Sequence, residues 1–99
     1  MKINEITKIL EQWAPLSNAE EFDNVGLLVG NPHADCTKAL ITLDTTEAVV
    51  EEAIREGCEL IISFHPIIFS GLKKITGNTY VERVVLKAIK NDVAVYAIH

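Results

Sequence analysis

Ninety-nine residues, 48% apolar and 23% charged, suffice for one domain with a single core and are too apolar for an intrinsically disordered chain. Nine basic against fourteen acidic residues leave a net charge of −5. With no Lys/Arg cluster, that balance excludes a nucleic-acid backbone as the main partner. The apolar share exceeds what so short a domain needs for its own interior, which points to a face reserved for other protein surface.

The first periodic segment covers residues 3–13, where Ile6, Ile9, Leu10 and Trp13 recur at helical spacing and Pro15 stops the helix. A polar stretch leads to an apolar run over residues 25–30, bracketed by Gly26 and Gly30, and a second run over 39–43 ends on Asp44. Both have the length and β-branched content of strands. Residues 46–56 read as a helix with Thr45 or Asp44 as cap, an apolar stripe of Val49, Val50, Ala53 and Ile54, and Gly57 as the left-handed exit. A third strand over 60–64 runs into His65-Pro66. Beyond a loop with Gly71 and Gly77, Thr79-x-x-Glu82 has the form of a capping box. Val81, Val84, Val85, Ala88 and Ile89 then keep helical spacing. Asn91-Asp92 closes that helix, and residues 93–98 form a fourth strand before His99.

Strands that alternate with helices and are apolar without a break are parallel strands covered on both faces. The expected fold class is α/β, a three-layer αβα domain with a mostly parallel sheet and right-handed crossovers.

No apolar run reaches the ~20 residues of a membrane span. The start, Met1-Lys2-Ile3-Asn4-Glu5, lacks the apolar segment of a signal peptide. Cys36 and Cys58 form no C-x-x-C and read as reduced thiols. The expectation is a cytoplasmic protein with no membrane and no nucleic-acid partner. Glu47, Glu51, Glu52 and Glu56 read as a solvated helix face, His33 as an exposed loop residue, and Lys73-Lys74 as a solvated loop. No phosphate-binding glycine fingerprint and no G-x-S-x-G is present.

Ligands of open parallel sheets gather beyond the carboxyl ends of the strands. Here the second, third and fourth strands end on Asp44, His65 and His99. A carboxylate with two imidazoles on one rim would make a metal shell. Taken singly, each also has a structural reading: Asp44 as a helix cap, His65 as a turn residue before Pro66, His99 as a chain end.

Four segments carry a resemblance that spans the chain. They are Asp23-Asn24-Val25-Gly26-Leu27-Leu28-Val29-Gly30, Leu43-Asp44-x-Thr46, Ile61-Ile62-Ser63-Phe64-His65-Pro66-x-x-Phe69 and Asn91-x-x-x-x-Tyr96-Ala97-x-His99. In this order they resemble the amino-terminal part of the Nif-three-like proteins, also known as GTP cyclohydrolase I type 2 homologues. The resemblance implies that residues 1–99 are one lobe of a longer, two-lobed protein that binds two metal ions in a cleft and assembles into hexamers. Metal-dependent hydrolysis of a small-molecule substrate is the implied activity, with zinc, iron or manganese as the divalent transition metal. The implied partners are a carboxyl-terminal lobe and identical subunits, and the 99-residue chain is expected to self-associate.

By the same resemblance His65 and His99 are metal ligands, and in a hydrolase reading Asp44 would be an orienting group or a general base. One departure stands out. Where the family has two adjacent histidines before the proline, this chain has Phe64 and then His65. Further family ligands fall beyond residue 99. The resemblance is therefore compatible with two functions: a metal-dependent hydrolase lobe with an incomplete dinuclear site, or a non-catalytic binding or regulatory module that keeps the fold. Phe64 is the residue that separates them.

Overall fold

Along the chain the elements are α1 (Ile3–Trp13), β1 (Gly26–Val29), β2 (Ala39–Thr42), α2 (Glu47–Arg55), β3 (Leu60–Ser63), α3 (Tyr80–Lys90) and β4 (Ala94–Ala97). The computed structural model describes residues 1–15, 24–68 and 71–98. Asp23, Phe69 and His99, singled out in the motifs above, lie outside the described residues.

The strands form one sheet in the order β1-β4-β3-β2. β2, β3 and β4 are parallel, with Thr42 beside Ser63 and Ser63 beside Ala97, so their carboxyl ends reach the same rim. Every residue of β3 and β4 is buried, as expected of central strands covered on both faces. Alternation then divides the core. Ile61 and Val95 face Val50, Ala53, Val84, Val85 and Ala88 of α2 and α3, while Leu60, Ile62, Ala94 and Tyr96 face Ile3 of α1. The three-layer α/β domain expected from the sequence is the architecture observed.

β1 departs from the parallel rule. It runs antiparallel to β4, and its register slips between Leu27 and Val29, leaving Leu28 as the extra residue of a bulge. Gly30 ends it at a φ of +114°, and a Cβ there would lie 2.6 Å from the Cβ of Ala94. The glycine is thus required twice, by the backbone angle and by the close approach of two strands.

The helix ends show what local chemistry decides. Thr46, rather than Asp44 or Thr45, caps α2: its backbone is extended and its hydroxyl accepts the N–H of Val49 at 3.1 Å. The reason is position, since the helix begins one residue later than expected, and the Asp44 carboxylate is engaged by His65. Gly57 takes the left-handed exit, with φ +72°. At α3, Thr79 Oγ1 accepts the N–H of Glu82 at 3.2 Å, which is half of the expected box. The glutamate does not return to the Thr79 amide. Its Oε1 accepts from the amides of Thr76 (2.9 Å) and Asn78 (3.3 Å) and from the Thr76 hydroxyl, and its Oε2 accepts from the Thr79 hydroxyl. These bonds lower the Glu82 carboxyl from 4.5 to about 2.

Two further expectations are refined. The α2 glutamates are not all simply solvated: Glu47 pairs with Arg83 at 2.9 Å and Glu51 with Lys87 at 2.6 Å, tying α2 to α3. On α1 the buried face centres on Ile3 and Thr7, with Ile6 and Leu10 packed beside them. At about 100° per residue Ile9 and Trp13 turn off to one side, and Trp13 is 83% exposed. Cys36 and Cys58 are free, buried thiols, and His33 is exposed, both as expected. Among the described residues no helix is long and apolar enough to cross a membrane.

Candidate functional site

The parallel ladder continues past the last residues of the strands. Phe64 N–H donates to the Thr42 carbonyl and His65 N–H to the Leu43 carbonyl, both at 3.0 Å. The turn after β3 is thereby locked onto the turn after β2. Ser63, fully buried, donates its hydroxyl to the His65 carbonyl at 2.7 Å and holds the same turn from inside. This backbone frame sets His65 next to Asp44. The two side chains meet at 2.8 Å, His65 Nδ1 to Asp44 Oδ1, and both are about half exposed at the rim.

A carboxylate that accepts Nδ1–H selects one imidazole tautomer and leaves Nε2 as the nitrogen with the lone pair. Metal-bound histidines are commonly held in this way, the carboxylate orienting the ring and raising its basicity. The Phe64 ring stands edge-on to the imidazole, centroids 5.6 Å apart, and is itself half exposed.

Three other side chains define the surroundings. Asn24, from the first motif, donates its Nδ2 to the Ile68 carbonyl at 2.6 Å, fastening the segment after Pro66 to the start of β1. Tyr80, the first residue of α3, donates its hydroxyl to the Thr45 carbonyl at 2.9 Å, directly behind Asp44. Burial raises the pKa of that phenol, and the nearby charges of Asp44 and Glu47 raise it further. Tyr96 of the fourth motif is a core residue, packed with Ile3 and Leu60 on the α1 face.

Of the three residues expected at the rim, Asp44 and His65 are therefore in direct contact, and His99 lies outside the described residues. Among the described residues no group of three or more His, Cys, Asp and Glu side chains could hold a metal ion. Protein sites for transition metals generally use three or four protein ligands. The donor set thus fits one imidazole ligand with its orienting carboxylate, and a complete shell needs donors beyond the described residues. Tyr80 is the neighbour that sequence reasoning missed, because nothing local signals a contact with Thr45, 35 positions away.

Residues 1–99 match the family model described as Duf34/NIF3 (NGG1p interacting factor 3). The chain belongs to the DUF34/NIF3 family. A Clostridium perfringens protein named GTP cyclohydrolase 1 type 2 homolog is 44% identical to it over 99 residues, covering 100% of this chain and 38% of that protein. Drosophila melanogaster NIF3-like protein 1 is 48% identical over 100 residues, covering 99% and 34% respectively. The solved structure of Staphylococcus aureus protein SA1388 superposes with a TM-score of 0.95 at 41% identity, over 100% of this chain and 32% of that one. The chain thus spans about a third of the length of these DUF34/NIF3 relatives, and over that third its fold matches the solved Staphylococcus aureus structure.

Proposed function

We propose that the chain is the metal-binding lobe of a metal-dependent hydrolase, with His65 and His99 as ligands and Asp44 orienting His65. The observation that supports this reading is the 2.8 Å contact between His65 Nδ1 and Asp44 Oδ1 at the carboxyl ends of adjacent parallel strands. A bound zinc, iron or manganese ion would supply Lewis acidity and lower the pKa of a coordinated water to ~7. The chain's own residues do the positioning. Asp44 fixes the tautomer and plane of the imidazole, the Ser63 hydroxyl and the Thr42 and Leu43 carbonyls hold the turn that carries it, and the Phe64 ring walls one side. Occupancy of a full dinuclear site and any hydrolytic turnover belong to the longer assembly of lobes and subunits that the family resemblance implies, in the cytoplasm. GTP, which the relatives' names carry, is the first substrate to assay.

Phe64 supports a second reading, a binding or regulatory module that keeps the fold without the dinuclear chemistry. A phenyl ring has no lone pair to give a metal where the family resemblance expects an imidazole. Metal content per chain separates the two. In equilibrium dialysis against zinc, manganese or iron, the chain should bind metal weakly, His65→Ala should lose that binding, and Asp44→Asn should weaken affinity by about 10–100-fold. Phe64→His should tighten binding. If His65→Ala binds as much metal as the unaltered chain, the site is misassigned; if the unaltered chain binds none and Phe64→His restores binding, the second reading stands.

A further inference from the structure

The carbonyls of the turn between β2 and α2 each have a donor, and one donor is unlike the rest. Leu43 O accepts the Ser63 hydroxyl and the His65 N–H. Asp44 O accepts the Thr42 hydroxyl at 3.0 Å, and Thr46 O accepts the Val50 N–H at 3.0 Å. These donors belong to the two strands and their ends, or to α2 itself. Thr45 O is held from α3, by the Tyr80 hydroxyl at 2.9 Å. The Thr45 side chain adds no second hold, because its Oγ1 is buried and has no partner among the described residues.

Tyr80 stands at one end of a stripe. At helical spacing, residues 80, 83 and 87 lie on one side of α3. They bond Thr45, Glu47 and Glu51 in the same order. The Thr79 cap and the Glu82 carboxylate fix the helix turn from which Tyr80 projects. Arg83 and Lys87 thus act on α2, and Tyr80 alone of the three acts on the turn, one residue from Asp44. The position of Thr45 carries over to Asp44, its covalent neighbour. A group that orients another works only within about 0.5 Å of its productive place.

We propose that Tyr80 is a positioning residue of the site: its hydroxyl pins Thr45, which keeps the Asp44 carboxylate in line with His65 Nδ1. The inference rests on the reading above of Asp44 as the group that orients the His65 ring.

Tyr80→Phe removes the hydroxyl and keeps a ring that is half exposed, so the fold should persist by circular dichroism. The first readout needs no metal. In alkaline solution imidazoles are neutral, and their ring-nitrogen chemical shifts report the tautomer. The His65 signals, assigned by their loss in His65→Ala, should show Nδ1–H in the unaltered chain and a mixture with Nε2–H in Tyr80→Phe. Lys87→Met breaks the Glu51 pair at the far end of the stripe and should leave the tautomer as it was, although it too loosens α3 from α2. Metal affinity by equilibrium dialysis against zinc is the second readout. Tyr80→Phe should weaken it by less than the about 10–100-fold expected for Asp44→Asn. In an Asp44→Asn background it should add nothing, since it acts through Asp44. An unchanged tautomer in Tyr80→Phe overturns the proposal. So does an equal shift in Lys87→Met, which would make Tyr80 one brace of α2 among several. Nε2–H in the unaltered chain is a different failure: Asp44 would then not orient His65, and the reading beneath the proposal falls with it. Metal binding untouched by His65→Ala strikes the metal assignment alone, and the tautomer still decides the role of Tyr80.

Discussion

The Glu82 carboxylate accepts two amides and two hydroxyls from residues 76–79, and that concentration of donors holds its pKa near 2 rather than 4.5. A depressed carboxyl pKa stabilises the fold above the unfolded value and loses that contribution as pH falls through the folded one. The window here runs from about 4.5 down to about 2. Glu82→Gln should lower the melting temperature at neutral pH and flatten its fall across that window, as read by thermal melts of both proteins. Parallel acid limbs for the two would contradict the assignment. Gly30 is the second residue on which the fold turns. Gly30→Ala should cost about 2 kcal/mol or more in chemical denaturation, from the positive φ and from the clash with Ala94 together. Adding Ala94→Gly should recover the steric share and leave the backbone share, which a double-mutant cycle separates. At this scale Asp44 and His65 were legible in the sequence, because each follows an apolar strand and parallel strands end on one rim. The hydroxyl of Tyr80 behind Asp44 was not, since a long-range contact leaves no local pattern.

Helix and strand extents follow from periodicity and turn chemistry, so α1, α3 and the three parallel strands lie within a residue or two of where the sequence placed them. The cap of α2 does not follow in the same way. Asp44, Thr45 and Thr46 are all competent caps, and the choice is made by tertiary structure, which turns Asp44 toward His65 and binds the Thr45 carbonyl to Tyr80. Thr46→Ala should therefore destabilise the protein by about 1 kcal/mol, while Asp44→Ala should change stability by less than about 0.5 kcal/mol. Equal losses in urea denaturation would mean that the cap is shared. The direction of β1 was equally hidden: a four-residue run bounded by glycines says strand, but its antiparallel pairing with β4 depends on where the chain returns after α1. Likewise the glutamates of α2 looked like an isolated polar face until α3 brought Arg83 and Lys87 alongside.

For the molecule as a whole, the two faces of the sheet are unequally covered among the described residues: α2 and α3 share one, and α1 is the helix on the other. The apolar surplus of the composition reappears in part at that asymmetry, as Ile9 and Trp13 on the flank of α1 and Ile41 on the β2 edge. Trp13 is the chain's sole tryptophan, and its indole stands in water in the folded state. Its emission is therefore a beacon for the neighbourhood of α1 and carries little information about folding. Unfolding in urea should barely shift its wavelength while circular dichroism collapses, and iodide should quench it before the transition almost as well as after. An association that turns the emission blue and shields it from iodide would be docking on α1, so one native fluorophore reports whether that face is covered.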